Sequence, residues 1–320
     1  MEVLTGILCA LALFLFGMSL LGESLQAMFE KGGALHTLPK RGGFLLGAGV
    51  TALLQSSSAT TVLAVSLCDS GLLSFSQASA AIAGANVGTT STAWLLCLGW
   101  SVPDGEQVVL ALLAVAGLGL YLASGHRTAG AALTGLFLLL SGMRSLVAAA
   151  APIGDTALFL RLASLAEHPA AGFLAGAAFT GVLQSSSVSV GMLQALAAGG
   201  TLRRAAAVPL LLGINVGTCS TTLLSALSCG GAGRRAAAFH LRFNLVGAVL
   251  WTPLCLLRGL LAAPVTPVEI AVFHTLFNLT ASAVVLPTAG TCHKFHPDGS
   301  QFPAGRKKGR AVQGVKSKAE

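Results

Sequence analysis

The sequence predicts an all-α, polytopic membrane protein built from two tandem repeats. Three observations carry this. The chain of 320 residues is 54% hydrophobic and only 9% charged, where a soluble domain would be about one quarter charged. Apolar runs near the length of a bilayer crossing, about 20 residues, recur along it. The polar string Gln-Ser-Ser-Ser occurs twice inside such runs, at Gln55, Ser56, Ser57, Ser58 and at Gln184, Ser185, Ser186, Ser187. Polar groups are expensive in a bilayer, so a duplicated polar cluster marks a functional site.

The elements follow in order. Residues 4–22 form the first apolar run, which ends near Glu23 and is read as a retained span because no basic region precedes it. A short amphipathic link carries Lys31, His36, Pro39, Lys40 and Arg41. Residues 43–68 hold the first Gln-Ser-Ser-Ser, and Cys68-Asp69-Ser70-Gly71 closes that unit. Residues 75–99 are apolar but interrupted by Asn86-Val87-Gly88-Thr89-Thr90-Ser91-Thr92. An acidic loop at 103–106 leads to a span at 107–123. The pattern restarts at 130–150, followed by a mixed loop with Asp155, Arg161, Glu167 and His168. Residues 172–198 hold the second Gln-Ser-Ser-Ser. Residues 205–228 are interrupted by Asn215-Val216-Gly217-Thr218-Cys219-Ser220-Thr221-Thr222. Spans at 236–257 and about 268–288 end the apolar part.

The repeat is in register. Adding 129 to residues 43–92 gives 172–221 without a gap, and 22 of the 50 positions are identical. The same offset maps Leu4-Thr5-Gly6 onto Leu133-Thr134-Gly135, while Gly17-Met18 maps onto Gly142-Met143 with an offset of 125. The expected divisions are 1–129 and 130–260 for the repeats, 261–290 for the last helix and 291–320 for a disordered basic tail. Internal repeats of this kind are a feature of transporters. If residues 43–68 cross once, the two copies share one orientation; if they form a re-entrant hairpin, the copies are inverted. Lys/Arg placement barely separates the two. Mid-depth polar turns buried in protein favour re-entry.

The chemistry suits an oxyanion handled together with a hard cation. Hydroxyls and exposed backbone N–H groups donate to the anion, while side-chain and backbone carbonyl oxygens coordinate Na⁺. The Asn-Val-Gly-Thr stretches are expected to break their helices, with Asn86, Thr89, Thr90, Asn215, Thr218 and Thr221 completing the site. A bland alternative is close packing of small residues. Two His-x-x-Phe-Asn strings, His240–Asn244 and His274–Asn278, place His and Asn on one helix face. They would line the path or act as interhelical glue. Arg242 would face an anion or reach the interface.

Other classes fit poorly. No G-x-S-x-G is present and no His base pairs with a serine by sequence, so no enzymatic step is expected. The seven cysteines form no C-x-x-C and read as small hydrophobes. The net charge of +8 is concentrated near the C-terminus, which suggests a cytoplasmic tail rather than a nucleic-acid arm.

At Gln55-Ser56-Ser57-Ser58-Ala59-Thr60-Thr61, Gly84–Thr90, Gln184–Ser187 and Gly213–Thr218, the chain resembles the bacterial branch of the type II sodium–phosphate cotransporters. The closing His-x-x-Phe-Asn helices look like that family's too. The resemblance covers about residues 4–288. It implies Na⁺-coupled phosphate symport by alternating access in the inner membrane, with no enzymatic step or cofactor beyond the coupling Na⁺. It also implies inverted repeats with two re-entrant hairpins. The N-terminus is then expected outside and the tail inside. Many relatives carry a soluble domain resembling the phosphate regulator PhoU after the last span; here a short basic tail follows. The second copy reads Val188-Ser189-Val190 where the first reads Ala59-Thr60-Thr61, so the halves need not bind the same ions. The alternatives are Na⁺ symport of another small anion such as a carboxylate, with Arg242 as clamp, and a non-transporting sensor or scaffold whose tail recruits a partner.

Overall fold

A computed structural model describes residues 2–31, 42–98, 106–123, 125–154, 156–257 and 261–289. The expectations for the link at 32–41, the loop at 103–105, Asp155 and the tail at 291–320 lie outside the described residues.

The helices are α1 (Glu2–Lys31), α2 (Gly43–Leu54), α3 (Ser57–Asp69), α4 (Phe75–Leu98), α5 (Glu106–Leu122), α6 (Arg127–Gly154), α7 (Ala157–Ala166), α8 (Pro169–Leu183), α9 (Ser186–Ala198), α10 (Arg204–Gly217), α11 (Cys219–Ser225), α12 (Gly231–Trp251) and α13 (Pro267–Ala289). Among the described residues, six stretches are long and apolar enough to cross a membrane: 2–28, 75–98, 127–149, 204–228, 231–256 and 267–289. The chain is a multi-pass membrane protein.

The serine units are helical pairs. Helices α2 and α3 have 12 and 13 residues, so each is about 18–20 Å long, short of the ~30 Å hydrocarbon core. Helices α8 and α9, with 15 and 13 residues, repeat the pattern. The Thr180 hydroxyl, four residues before Gln184, donates to Ser189 Oγ five residues after it, at 2.9 Å. The chain therefore doubles back at the glutamine.

Glycines fix how each hairpin sits on its long neighbour. A Cβ on Gly84 would fall on the Phe44 carbonyl oxygen, and one on Gly47 on the Ala81 carbonyl oxygen. In the second half Gly213 meets the Phe173 carbonyl and Gly176 the Leu210 carbonyl. Every one of these pairs is the other shifted by 129. Gly88 against Ala48 and Thr51 is likewise matched by Gly217 against Ala177 and Thr180.

This overturns the expected break at 75–99. Helix α4 is continuous through Asn86–Thr92. In the second copy only Thr218 separates α10 from α11, and its backbone stays helical at φ −59°, ψ −25°. The glycines serve close backbone approach rather than unwinding, and Asn86, Thr89, Thr90, Asn215 and Thr218 bond back along their own helix instead of opening it. Two further corrections are local. The mixed loop after residue 150 contains α7, capped by the Thr156 hydroxyl accepting from Phe159 N–H. Helix α1 does not stop near Glu23 but continues to Lys31.

The counterpart helices α1 and α6 pack together through small residues. Gly6 meets Ala149, Gly142 meets Phe14, Gly17 meets Leu139 and Gly135 meets Leu21. Numbers rise along α1 as they fall along α6, so the two run antiparallel.

Helices α12 and α13 close the bundle. Thr266 and Glu269 cap α13 reciprocally: each backbone N–H donates to the other's side chain. Arg204 at the start of α10 bonds Glu269 Oε1 at 2.7 Å. The Asp69 carboxylate, at the end of α3, accepts from the N–H groups of Gly230 and Gly233 at the start of α12, at 2.9 and 3.0 Å. These bonds hold the Asp69 carboxyl below its ordinary pKa, Gly230 contributing most. A depressed carboxyl pKa stabilises the fold above the unfolded value of about 3.9 and loses that contribution as pH falls through the folded value. Asp69→Asn is therefore expected to lower the unfolding temperature in detergent near pH 7, with the difference from wild type shrinking as pH falls below about 3.9 toward the lower folded value. An equal difference across this range would contradict this.

Candidate functional site

Each hairpin turns on a strained glutamine. Gln55 (φ 51°) and Gln184 (φ 54°) are the non-glycine residues with positive φ among the described residues. Such left-handed backbone costs about 1–2 kcal/mol and collects at functional sites. Ser56 and Ser185 follow in extended conformation and cap the next helix, each accepting the N–H three residues on, from Ala59 and Val188. The first turns of α3 and α9 still expose further N–H groups. The carbonyls at the ends of α2 and α8 have no onward helical donors, and some take side chains instead: Ala52 from Gln55 Nε2 and Gly181 from the Ser220 hydroxyl. A hairpin tip thus presents anion-seeking and cation-seeking backbone ends side by side.

The two tips meet. Ser57 Oγ lies 3.5 Å from Ser186 Oγ, a contact between counterparts 129 residues apart. The Ser58 hydroxyl donates to the Gln184 carbonyl oxygen at 3.3 Å. Both tips line one cavity of about 460 Å³, bounded on its other side by Leu15, Met18, Ser19, Gly22, Glu23 and Gln26 of α1. All eight residues of the two Gln-Ser-Ser-Ser strings line it.

The other expected site residues stand behind this wall. The side-chain amides of Asn86 and Asn215 donate to the carbonyls of Ile82 and Leu211, each at 2.9 Å. The hydroxyls of Thr89 and Thr218 donate to Ala85 and Ile214, also at 2.9 Å. Thr90 donates to the Val87 carbonyl. Thr221 Oγ1 is buried with no partner among the described residues.

Sequence reasoning missed two contributors. Thr92 of α4 donates to Gln55 Oε1 at 2.9 Å and sits 3.4 Å from Ser187 Oγ, so it ties one tip to the other. Its counterpart, Thr221, makes no such bond. Gln55 is consequently buried, while Gln184 is exposed to the cavity. The α1 face of Ser19, Glu23 and Gln26 is the second omission. Its spacing of four and three puts these polar residues on one side of a helix, a signal readable in the sequence.

The halves differ deeper in as well. Thr61 Oγ1 lies 2.9 Å from Thr222 Oγ1, which lies 3.0 Å from His240 Nδ1. Thr61 also donates to the Ser58 carbonyl, so this chain reaches the first tip. The counterparts of Thr61 and Thr222 are Val190 and Ala93, which pack in one apolar cluster with Ile270 and Ala271, one turn before His274. His274 Nδ1 accordingly has no partner among the described residues. Asn244 of the first His-x-x-Phe-Asn string donates to Asn86 Oδ1 at 3.4 Å. Arg242 is exposed and donates to Thr288 near the end of α13; it does not line the cavity.

Comparison with known proteins agrees with the duplication. The family model described as Na⁺/Pi-cotransporter matches residues 13–148 and again 138–254. The chain is 29% identical over 299 residues to the "Uncharacterized protein YqeW" of Bacillus subtilis strain 168, covering 90% of this chain and 95% of that protein. It is 30% identical over 311 residues to the "Putative inorganic phosphate export protein YjbB" of Escherichia coli strain K12, and equally to that of Salmonella typhimurium. That match covers 92% of this chain but 55% of the relative's length. No solved structure matches significantly.

Proposed function

Because this chain belongs to the Na⁺/Pi-cotransporter family, we propose that it carries inorganic phosphate across the membrane together with Na⁺, at the cavity between the two serine tips. The observation that carries this reading is the meeting of Ser57 and Ser186. It gathers hydroxyls, two helix N-termini and two helix C-termini in one pocket, a set of donors and acceptors fitted to an anion and a cation together. The antiparallel course of the counterpart helices α1 and α6 supports repeats that are inverted across the membrane, with the two serine units as re-entrant hairpins. Rocking of one repeat against the other would then expose the same cavity to either side in turn.

A carboxylate substrate would call for a bidentate guanidinium, and Arg242 points elsewhere. The scaffold reading depends on residues 291–320, outside the described part. The test is radiolabelled phosphate flux in proteoliposomes under an imposed Na⁺ gradient. Na⁺-dependent flux is the expected result; the absence of it in both directions would refute the proposal.

A further inference from the structure

Glu23 is the one ionisable side chain among the described residues lining the cavity. Among the described residues lining it, a phosphate entering there meets neutral donors and one carboxylate, and no lysine, arginine or histidine. A carboxylate beside the anion adds like-charge repulsion, which a cation held on that carboxylate removes. The surroundings of Glu23 are oxygen-rich. The Ser19 hydroxyl donates to its Oε1 at 2.9 Å, and the Gln26 amide follows three residues along the same wall of the cavity. Gly22, the residue before it, packs α1 against the Leu54 carbonyl, where a Cβ would come within 2.7 Å of the oxygen. That carbonyl is at the C-terminal end of α2, which lacks onward helical donors and carries the negative end of the helix dipole.

We propose that Glu23, with Ser19, Gln26 and the Leu54 carbonyl, binds one Na⁺ ion inside the anion cavity. This rests on the sodium-coupled reading above and names the group that makes phosphate binding depend on the cation. Carboxylate, hydroxyl, amide and carbonyl oxygens are ligands suited to a hard alkali ion. The site is not duplicated. With the offset of 125 that relates Gly17-Met18 to Gly142-Met143, the counterpart of Glu23 is Ala148 and that of Ser19 is Arg144. One wall of the cavity thus supplies the cation site, and the two hairpin tips supply the anion site.

The experiment measures the unfolding temperature of the purified full chain in detergent, without phosphate, as NaCl replaces choline chloride at constant ionic strength. Na⁺ should raise it in the wild type. In Glu23→Gln the half-maximal Na⁺ concentration should rise by about tenfold or more, a loss of roughly 1.4 kcal/mol, while Glu23→Asp keeps most of the response. An unchanged Na⁺ response in Glu23→Gln, or none in the wild type, overturns the proposal. So does a wild-type response that follows pH rather than Na⁺ and disappears in Glu23→Gln, since Glu23 would then take a proton. If Glu23→Gln does not fold, Gln26→Leu and Glu23→Ala are compared over the same titration, and wild-type Na⁺ affinity in either counts against it. The two readings fail separately. A Na⁺ response without phosphate flux contradicts only phosphate transport. Flux in Glu23→Gln with wild-type Na⁺ dependence contradicts only the Glu23 site.

Discussion

Gly84→Ala and Gly213→Ala each yield far less folded protein than the wild type, and the pair together yields essentially none. The added methyl would meet backbone, the carbonyls of Phe44 and Phe173, rather than a side chain able to rotate away. Overpacking a core commonly costs about 1–3 kcal/mol, and a rigid helix–helix contact leaves no cheap relaxation. Two such losses consume much of a typical stability of about 5–15 kcal/mol. The internal control is Gly49→Ala and Gly181→Ala, where nothing lies within 4 Å of the new Cβ. Both should be neutral or mildly stabilising, by up to about 1 kcal/mol from helix propensity. The repeat already contains this experiment: the counterpart of Gly49 is Ala178 and that of Gly181 is Ala52, whereas Gly47, Gly84 and Gly88 all keep glycine at their counterparts. Yield and unfolding temperature of the four variants decide the matter. Wild-type behaviour of Gly84→Ala would show that α2 and α4 are not locked at that point.

The duplication of the serine unit was legible because it rests on strong local signals, whereas its hairpin form was left open by the residues and followed from the resemblance. A polar run in an apolar segment has few innocent explanations, and an uninterrupted offset of 129 fixes which residues correspond. The role of Gly84, Gly88, Gly213 and Gly217 was not legible. A missing Cβ permits both unwinding and close packing, and only the neighbour's position tells which. Glu23 was misplaced for a related reason. A charge after an apolar run reads as the end of a span because its burial in lipid is costly, yet here it faces a polar cavity. The difference between Thr61 and Val190 was visible as letters, but its consequence was not. Only the fold shows that Thr222 and His240 complete a hydrogen-bonded chain in one half, while Ala93 leaves His274 Nδ1 unpaired in the other.

Ser57→Ala and Ser186→Ala are each expected to reduce Na⁺-dependent phosphate flux by about tenfold or more, the effect of one lost hydrogen bond of roughly 1.5–3 kcal/mol to a charged ligand. Both hydroxyls are buried at the junction of the tips, and neither caps a helix, so folding should survive. Groups that serve one ligand in one cavity do not act independently, and their losses then fail to add. The account's central claim is that the two tips make a single site rather than two separate ones. The most direct test is therefore phosphate flux in proteoliposomes for the wild type, each single variant and the Ser57→Ala/Ser186→Ala double variant. A single shared site predicts that the double variant loses clearly less than the product of the two single losses, with a coupling of at least about 0.5 kcal/mol. Losses that multiply without coupling, or wild-type flux in either single variant, would contradict it.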